Sequence, residues 1–149
     1  MRYTLALVFL CFATIAAPAQ ERGATPPELP ILSADEANLN DFSWVKRPLI
    51  VFADTPADPR FVEQMGYITE RFDALAERDV VVITDTDPDA RSDIRRKLRP
   101  RGFSLVLIGK DGVIYLRKPA PWHVREITRT IDKLPVRQQE MREARPGRS

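Results

Sequence analysis

The sequence predicts an α/β fold: a four-stranded mixed sheet with flanking helices, in the order β-α-β-α-β-β-α. Three observations predict it. Pro48 to Ala53 (PLIVFA) and Val80 to Ile83 (VVVI) are continuous apolar runs without alternation, the pattern of central strands covered on both faces. Between them Phe61, Met65, Ile68, Phe72 and Leu75 recur at spacings of four and three, one apolar stripe on one helix. Finally, Phe103 to Ile108 (FSLVLI) runs into Gly109-Lys110-Asp111-Gly112, where Asp-Gly is a strong hairpin signal.

The chain opens on a segment that reads as a signal peptide rather than as part of the fold. Arg2 supplies a positive start, Leu5 to Ala17 is apolar, and Ala17-Pro18-Ala19 is an A-x-A cleavage signature. The apolar run is shorter than the roughly 20 residues a spanning helix needs. Leu10 before Cys11 argues against a lipid anchor on that cysteine, because such an anchor needs a small residue there. Cleavage after Ala19 removes Cys11, the single cysteine, so the chain from Gln20 onward is expected to carry no thiol and no disulfide. The expected location is periplasmic or secreted, with no membrane span left after residues 1–19 are removed.

Residues 20–32 (QERGATPPELPIL) read as an extended leader, with Pro26, Pro27 and Pro30 opposing regular structure. Ser33-Ala34-Asp35-Glu36 has the form of a capping box, with Ser33 as N-cap and Glu36 at N3, and predicts a short helix over 34–41. The folded domain is expected over 33–143. Asp58-Pro59 starts the striped helix, Asp as N-cap and Pro at the first helical position. The stripe predicts one helix of about 19 residues, and Gly66 inside it costs about 1 kcal/mol of propensity or allows close packing. Strand, helix and strand make a right-handed parallel unit. Asp87-Pro88 repeats the helix start before a short polar helix carrying Ile94 and Leu98. Val113 to Leu116 forms the return strand of the hairpin, and Pro119 and Pro121 break the chain. Val124, Ile127, Ile131 and Leu134 give a last stripe that stops near Pro135. Residues 136–149 are polar, helical at first, and frayed over 144–149.

Composition narrows the function. Lys and Arg number 23 and Asp and Glu 21, a net charge of +2, which gives no global attraction to nucleic acid or anionic membrane. One His and one Cys exclude a Cys/His zinc site and an in-chain cysteine redox pair. No cofactor is expected.

The element order is the smallest thioredoxin-like arrangement. Three segments carry a more specific resemblance: Trp44 to Phe52 (WVKRPLIVF), Gly102 to Gly112 (GFSLVLIGKDG) and Leu134 to Arg142 (LPVRQQEMR). They resemble a bacterial family of unknown function, similar to the thioredoxin-like domain called P-DUDES that also occurs in secreted vertebrate matrix proteins with sushi repeats. The resemblance covers about residues 36–143. It implies a thioredoxin-like fold, export and a peroxiredoxin-like ancestry, and it brings no established activity.

In such folds the reactive cysteine lies where the first strand meets the next helix, because a helix N-terminus stabilises a thiolate. Here that junction is Asp54-Thr55-Pro56-Ala57-Asp58-Pro59-Arg60. Peroxiredoxins resemble it with Thr-x-x-Cys; Thr55-Pro56-Ala57-Asp58 puts a carboxylate in place of the nucleophile. Asp58 reads first as a helix cap and second as part of a binding rim with Asp54, Thr55 and Arg60. It would be a poor general base, since the helix N-terminus favours its ionised form.

Other groups carry weaker signals. Arg91, Arg95, Arg96 and Arg99, with Lys97 and Arg101, make a basic patch for an anionic polymer or lipid headgroup, or simply a solvated face that includes an Asp93–Lys97 pair. The segment lacks the interleaved aromatics that stack on bases, so nucleic acid is not an expected partner. Asp85-Thr86-Asp87-Pro88-Asp89 fails as a calcium loop, with Ala90 and Arg96 where Gly and Glu are needed, and no metal site is expected. His123 lacks a nucleophile and an orienting acid, there is no G-x-S-x-G, and Trp122 is expected to pack at the sheet edge. No catalytic residue is assigned. The expectation is a non-catalytic binding module of the cell envelope, its partner a protein or envelope component. The alternatives are a peroxiredoxin-like oxidoreductase working without cysteine, or a structural envelope protein.

Overall fold

The computed structural model describes residues 29–147. The signal segment, Cys11 and all but the last residues of the leader lie outside this range. Five strands form one mixed sheet: β1 (Ile31–Ser33), β2 (Arg47–Phe52), β3 (Val80–Asp85), β4 (Ser104–Ile108) and β5 (Ile114–Lys118), in the spatial order β1-β3-β2-β4-β5. β1 and β2 pair in parallel with β3, β4 runs antiparallel to β2, and β4 and β5 form the hairpin.

Successive side chains of β2 point to opposite faces, and each face has its own apolar layer. Leu49 and Val51 pack with α1 (Pro59–Glu70), α2 (Phe72–Ala76) and α4 (Val124–Asp132) through Ile68, Leu75, Ile127 and Ile131. Ile50 and Phe52 pack under α3 (Asp93–Leu98) and the 3-10 turn Leu39–Phe42, through Ile94 and Leu98. Both faces are covered, which is why these strands carry no polar alternation. α5 (Pro135–Glu143) follows α4 and contains no fully buried residue.

The sheet has five strands, not four. Ile31–Ser33 lies along the free edge of β3, and Val82 N–H donates to the Pro30 carbonyl at 2.9 Å. An open edge of an apolar strand leaves backbone groups unpaired, and a short run suffices to satisfy them. Ser33 therefore ends a strand and is no helix cap. Its carbonyl accepts from Glu36 N–H at 3.0 Å, closing a turn, and the only helical residues of 34–42 are the 3-10 turn capped by Asn38.

The long helix is two helices. Arg71 adopts φ −136° and ψ 36°, which ends α1, and α2 restarts at Phe72. The break re-phases the stripe. Ile68 and Leu75 are fully buried, Phe61 and Met65 pack against the core at half burial, and Phe72 turns outward to 37% exposure. Gln64 takes an interior position instead, its amide nitrogen donating to the Trp122 carbonyl at 3.0 Å and its oxygen accepting from Trp122 N–H at 2.7 Å. Asp87 caps only the 3-10 turn Pro88–Ala90, and α3 begins later under Ser92, whose hydroxyl accepts from Arg95 N–H at 3.0 Å.

Candidate functional site

The strand register sorts the polar residues to two ends of the sheet. At one end Phe52 pairs with Asp85 on one side and with Ser104 on the other, and the ladder continues one step as Ala53 N–H donates to the Asp85 carbonyl at 2.9 Å. The chain then turns through Asp54–Ala57, all exposed. Thr55 closes that turn: its carbonyl accepts from Asp58 N–H at 3.2 Å and its hydroxyl from Ala57 N–H at 3.3 Å. Pro59 occupies the first turn of α1, and Asp58 is its N-cap, with Oδ1 accepting from Arg60 N–H at 2.9 Å.

Asp58 is fully engaged. Besides the cap, it accepts from Arg60 Nε on Oδ1 at 3.2 Å and from Arg60 Nη2 on Oδ2 at 3.0 Å. The hydrogen bonds from Arg60 hold its carboxyl below the ordinary 3.8. It is an ion at neutral pH, and its lowered basicity makes it a poor proton acceptor. The Arg60 guanidinium in turn lies 5.6 Å from the Phe103 ring centroid, a cation–π distance. Asp58 and Arg60 thus neutralise each other on the rim, and Asp54 and Thr55 stand exposed on the turn beside them.

The basic segment divides. Arg95 is not on the surface with the others: its side chain is 11% exposed and reaches inward to Asp85, itself 5% exposed. Arg95 Nη2 donates to Asp85 Oδ1 at 2.8 Å and to the Ala53 carbonyl at 3.0 Å, and Ser92 Oγ donates to Asp85 Oδ2 at 2.7 Å. The guanidinium also covers the Phe52 ring at 5.5 Å. A buried carboxylate at the end of a strand requires such partners, because a lone ion there would be expelled. Arg95 therefore braces the strand end behind the junction. Arg91, Arg96 and Arg99 are exposed, Arg91 and Arg99 in left-handed backbone at φ 50° and 48°. Asp93 pairs with Arg96 rather than with Lys97.

The other end of the sheet holds a charge network that the residue patterns did not reveal. Arg47 is fully buried at the start of β2. Its Nη1 donates to the Arg78 carbonyl at 2.8 Å, and its Nη2 donates to Glu140 Oε1 and Oε2 at 3.1 and 3.0 Å. Lys110 Nζ lies 2.8 Å from both Glu140 Oε1 and Asp79 Oδ2. Arg78 binds Asp132 through two nitrogens at 2.9 and 2.8 Å, and Arg137 stands beside Glu140 at 3.4 Å. Burial pushes the Glu140 carboxyl up, yet its bonds from Lys110 and Arg47 leave it below the ordinary 4.5. Arg47, Lys110 and Glu140 lie one in each of the segments WVKRPLIVF, GFSLVLIGKDG and LPVRQQEMR, and that shared membership was the sequence signal available for them.

The remaining candidates are peripheral. His123 is exposed, its ring 4.1 Å from that of Tyr67, and Trp122 is half-buried under Lys118 Nζ at 4.3 Å. Among the described residues no group of three or more His, Cys, Asp or Glu is placed to hold a metal ion, and no helix is long and apolar enough to cross a membrane. A cleft of about 400 Å³ lies between residues 35–40 and α3 and is lined by Asp35, Glu36, Asp93 and Lys97, away from the junction.

Comparison with known proteins fits this geometry. Residues 38–140 match a domain of unknown function, DUF4174. No curated protein matches the chain. Among solved structures, the reduced 2-Cys peroxiredoxin of Plasmodium vivax superposes with a TM-score of 0.56 at 18% identity, covering 70% of this chain and 85% of that one. Thioredoxin peroxidase I of Plasmodium yoelii gives 0.52 at 18% identity, covering 76% and 84%. These likenesses show a peroxiredoxin-like, thioredoxin-type α/β fold.

Proposed function

Given that the chain belongs to the DUF4174 family of domains of unknown function, we propose that it is an exported, non-catalytic binding module of the cell envelope. The observation that carries this reading is the state of Asp58. A helix N-terminus of this kind favours a reactive thiolate. At that place the chain has a carboxylate whose two oxygens are taken by the α1 amide and the Arg60 guanidinium. A group so satisfied contributes to the shape and charge of a surface, not to bond-making. The contact surface is the junction rim of Asp54, Thr55, Asp58 and Arg60 together with exposed Arg91, Arg96 and Arg99, braced from behind by Arg95. Its partner is a protein or another envelope component.

Export is the premise of the location, and mass spectrometry of the protein from its own cells tests it. The expected N-terminus is Gln20 or its cyclised form; a mature chain retaining Cys11 would overturn both the cleavage and the thiol-free state. The purified mature protein should neither reduce insulin disulfides nor turn over peroxide with a thiol reductant, and turnover by a contaminant-free sample would refute the non-catalytic reading. Crosslinking of the exported protein in its cells should capture an envelope component, less so when Arg91, Arg96 and Arg99 are replaced by Ser.

A further inference from the structure

β5 is an edge strand: among the described residues nothing pairs with its outer side. A groove of about 110 Å³ opens between the start of β5 and the layer of α3 and the 3-10 turn, walled by Leu39, Phe42, Pro48, Leu98 and Ile114 with polar Asn40 and Ser43. Ile114 is 44% exposed, and Val113, Val45 and Trp44 continue the apolar surface at 50%, 57% and 68%. Trp44 is held against the hairpin by its N–H, which donates to the Lys110 carbonyl at 2.8 Å, and it sits at φ 63°, a left-handed backbone that bulky residues seldom adopt. Cations stand on the same side. Lys97 lines the groove, Arg117 of β5 donates to the carbonyl of Leu98, one of its walls, at 3.1 Å, and exposed Arg99 follows Leu98. Among the described residues no carboxylate lies at ion-pair distance from Lys97, Arg99 or Arg117.

We propose that the β5 edge and this groove receive an extended acidic peptide of a partner protein, one apolar side chain seated between Leu98 and Ile114. This goes beyond the junction rim and rests on the binding-module reading. An edge strand supplies the backbone donors and acceptors for strand addition, a groove beside it supplies side-chain selection, and unpaired cations supply the charge preference. The groove is the size of a side chain rather than of an acyl chain, which favours a peptide over a lipid. Self-pairing is disfavoured, because β5 (IYLRK) has no acidic residue and two copies edge to edge would gather Arg117 and Lys118 twice on one ribbon.

The test uses the full exported chain and two blocked heptapeptides, one alternating Glu with Leu, the other Lys with Leu. Binding is read by anisotropy of the labelled peptide and by tryptophan emission, repeated in Trp122→Phe so that Trp44 alone reports. The acidic peptide should bind roughly tenfold or more tightly than the basic one, and Lys97→Glu, which touches no internal contact, should erase most of that preference. Ile114→Asp should weaken the acidic peptide as well, with circular dichroism confirming the fold of both variants. Equal affinity for the two peptides, or an acidic-peptide affinity indifferent to Lys97→Glu, would overturn the proposal. So would a preference for phosphatidylglycerol vesicles over the peptide, or concentration-dependent dimerisation that Ile114→Asp abolishes. If cellular crosslinks persist in Lys97→Glu while peptide binding never appears, this inference fails and the binding-module reading stands. If the peptide binds and no envelope crosslink forms, the location fails instead.

Discussion

Glu140 lies 93 residues from Arg47 in the chain and presents both carboxylate oxygens to one nitrogen of that fully buried guanidinium, at 3.1 and 3.0 Å. Arg47 Nε finds no partner at all among the described residues. The Arg47 charge therefore depends on one acidic side chain from the last helix, and α5, with no fully buried residue, is held by the contacts of Glu140 to Arg47 and Lys110 and of Arg137 to Asp132.

Removing one member of such a pair leaves an ion buried without compensation. Glu140→Ala is expected to destabilise the domain by about 3–5 kcal/mol, the range for breaking a buried pair. Replacing both, Arg47→Met with Glu140→Leu, should recover most of that loss, since no stranded charge remains. Urea denaturation of the three proteins checks this, and equal instability of the single and double variants would mean that packing rather than charge holds α5.

Acid should undo the same contacts. Glu140 is lowered from 4.5 because its bonds from Lys110 and Arg47 outweigh burial, and Asp132 is lowered from 3.8 chiefly by its bond from Arg78. A carboxylate with a depressed folded-state pKa stabilises the fold above its unfolded value and loses that contribution as pH falls through the folded one. Thermal midpoints should be level above pH 4.5 and decline progressively below it, with the decline shallower in Glu140→Gln. A flat profile down to pH 2 would contradict the assignment.

Phenylalanines separate core from surface. Phe52 is fully buried under α3, so Phe52→Ala should cost about 3–5 kcal/mol. Phe72→Ala should cost below about 1 kcal/mol, because its ring keeps 37% exposure beside Leu29 and Ile31. Reversed magnitudes in chemical denaturation would show α1 and α2 to be one helix with the stripe inward.

At Asp58 the cap can be exchanged without loss. Asp58→Ser should keep the denaturation midpoint, since Ser caps as well as Asp, and Asp58→Ala should lower it. Asp58→Cys places a thiol at the α1 N-terminus beside Arg60, where its pKa should fall below the free value of about 8.5. The pH dependence of alkylation reads it. An ordinary thiol there would mean that the junction no longer presents its amides.

Much of the fold was legible because its signals are local. The apolar runs of β2 and β3, the Asp-Gly hairpin and the Asp58-Pro59 start each sit within a few residues of sequence. β1 was not legible, since Ile31–Ser33 is a strand only by virtue of the β3 edge it completes. The break at Arg71 carries no Gly or Pro to announce it, while Gly66, which invites a break, sits inside continuous helix. The site was legible at Asp58, where cap chemistry is local. Arg95 was hidden inside a run of like charges; its cue was Asp85, the acid that closes a buried strand ten residues earlier. Arg47 was masked by the apolar run that follows it, and nothing near it in sequence names Glu140 as its counter-ion.

That separation also sets a timetable. The ribosome makes Arg47 long before Glu140, which lies 93 residues further along the chain. Until α5 arrives, closing the sheet would trap an uncompensated cation at the start of its central strand, so the early chain gains little by collapsing. Glu140 thus acts as a clasp, and the sheet is expected to close stably only once α5 has been made.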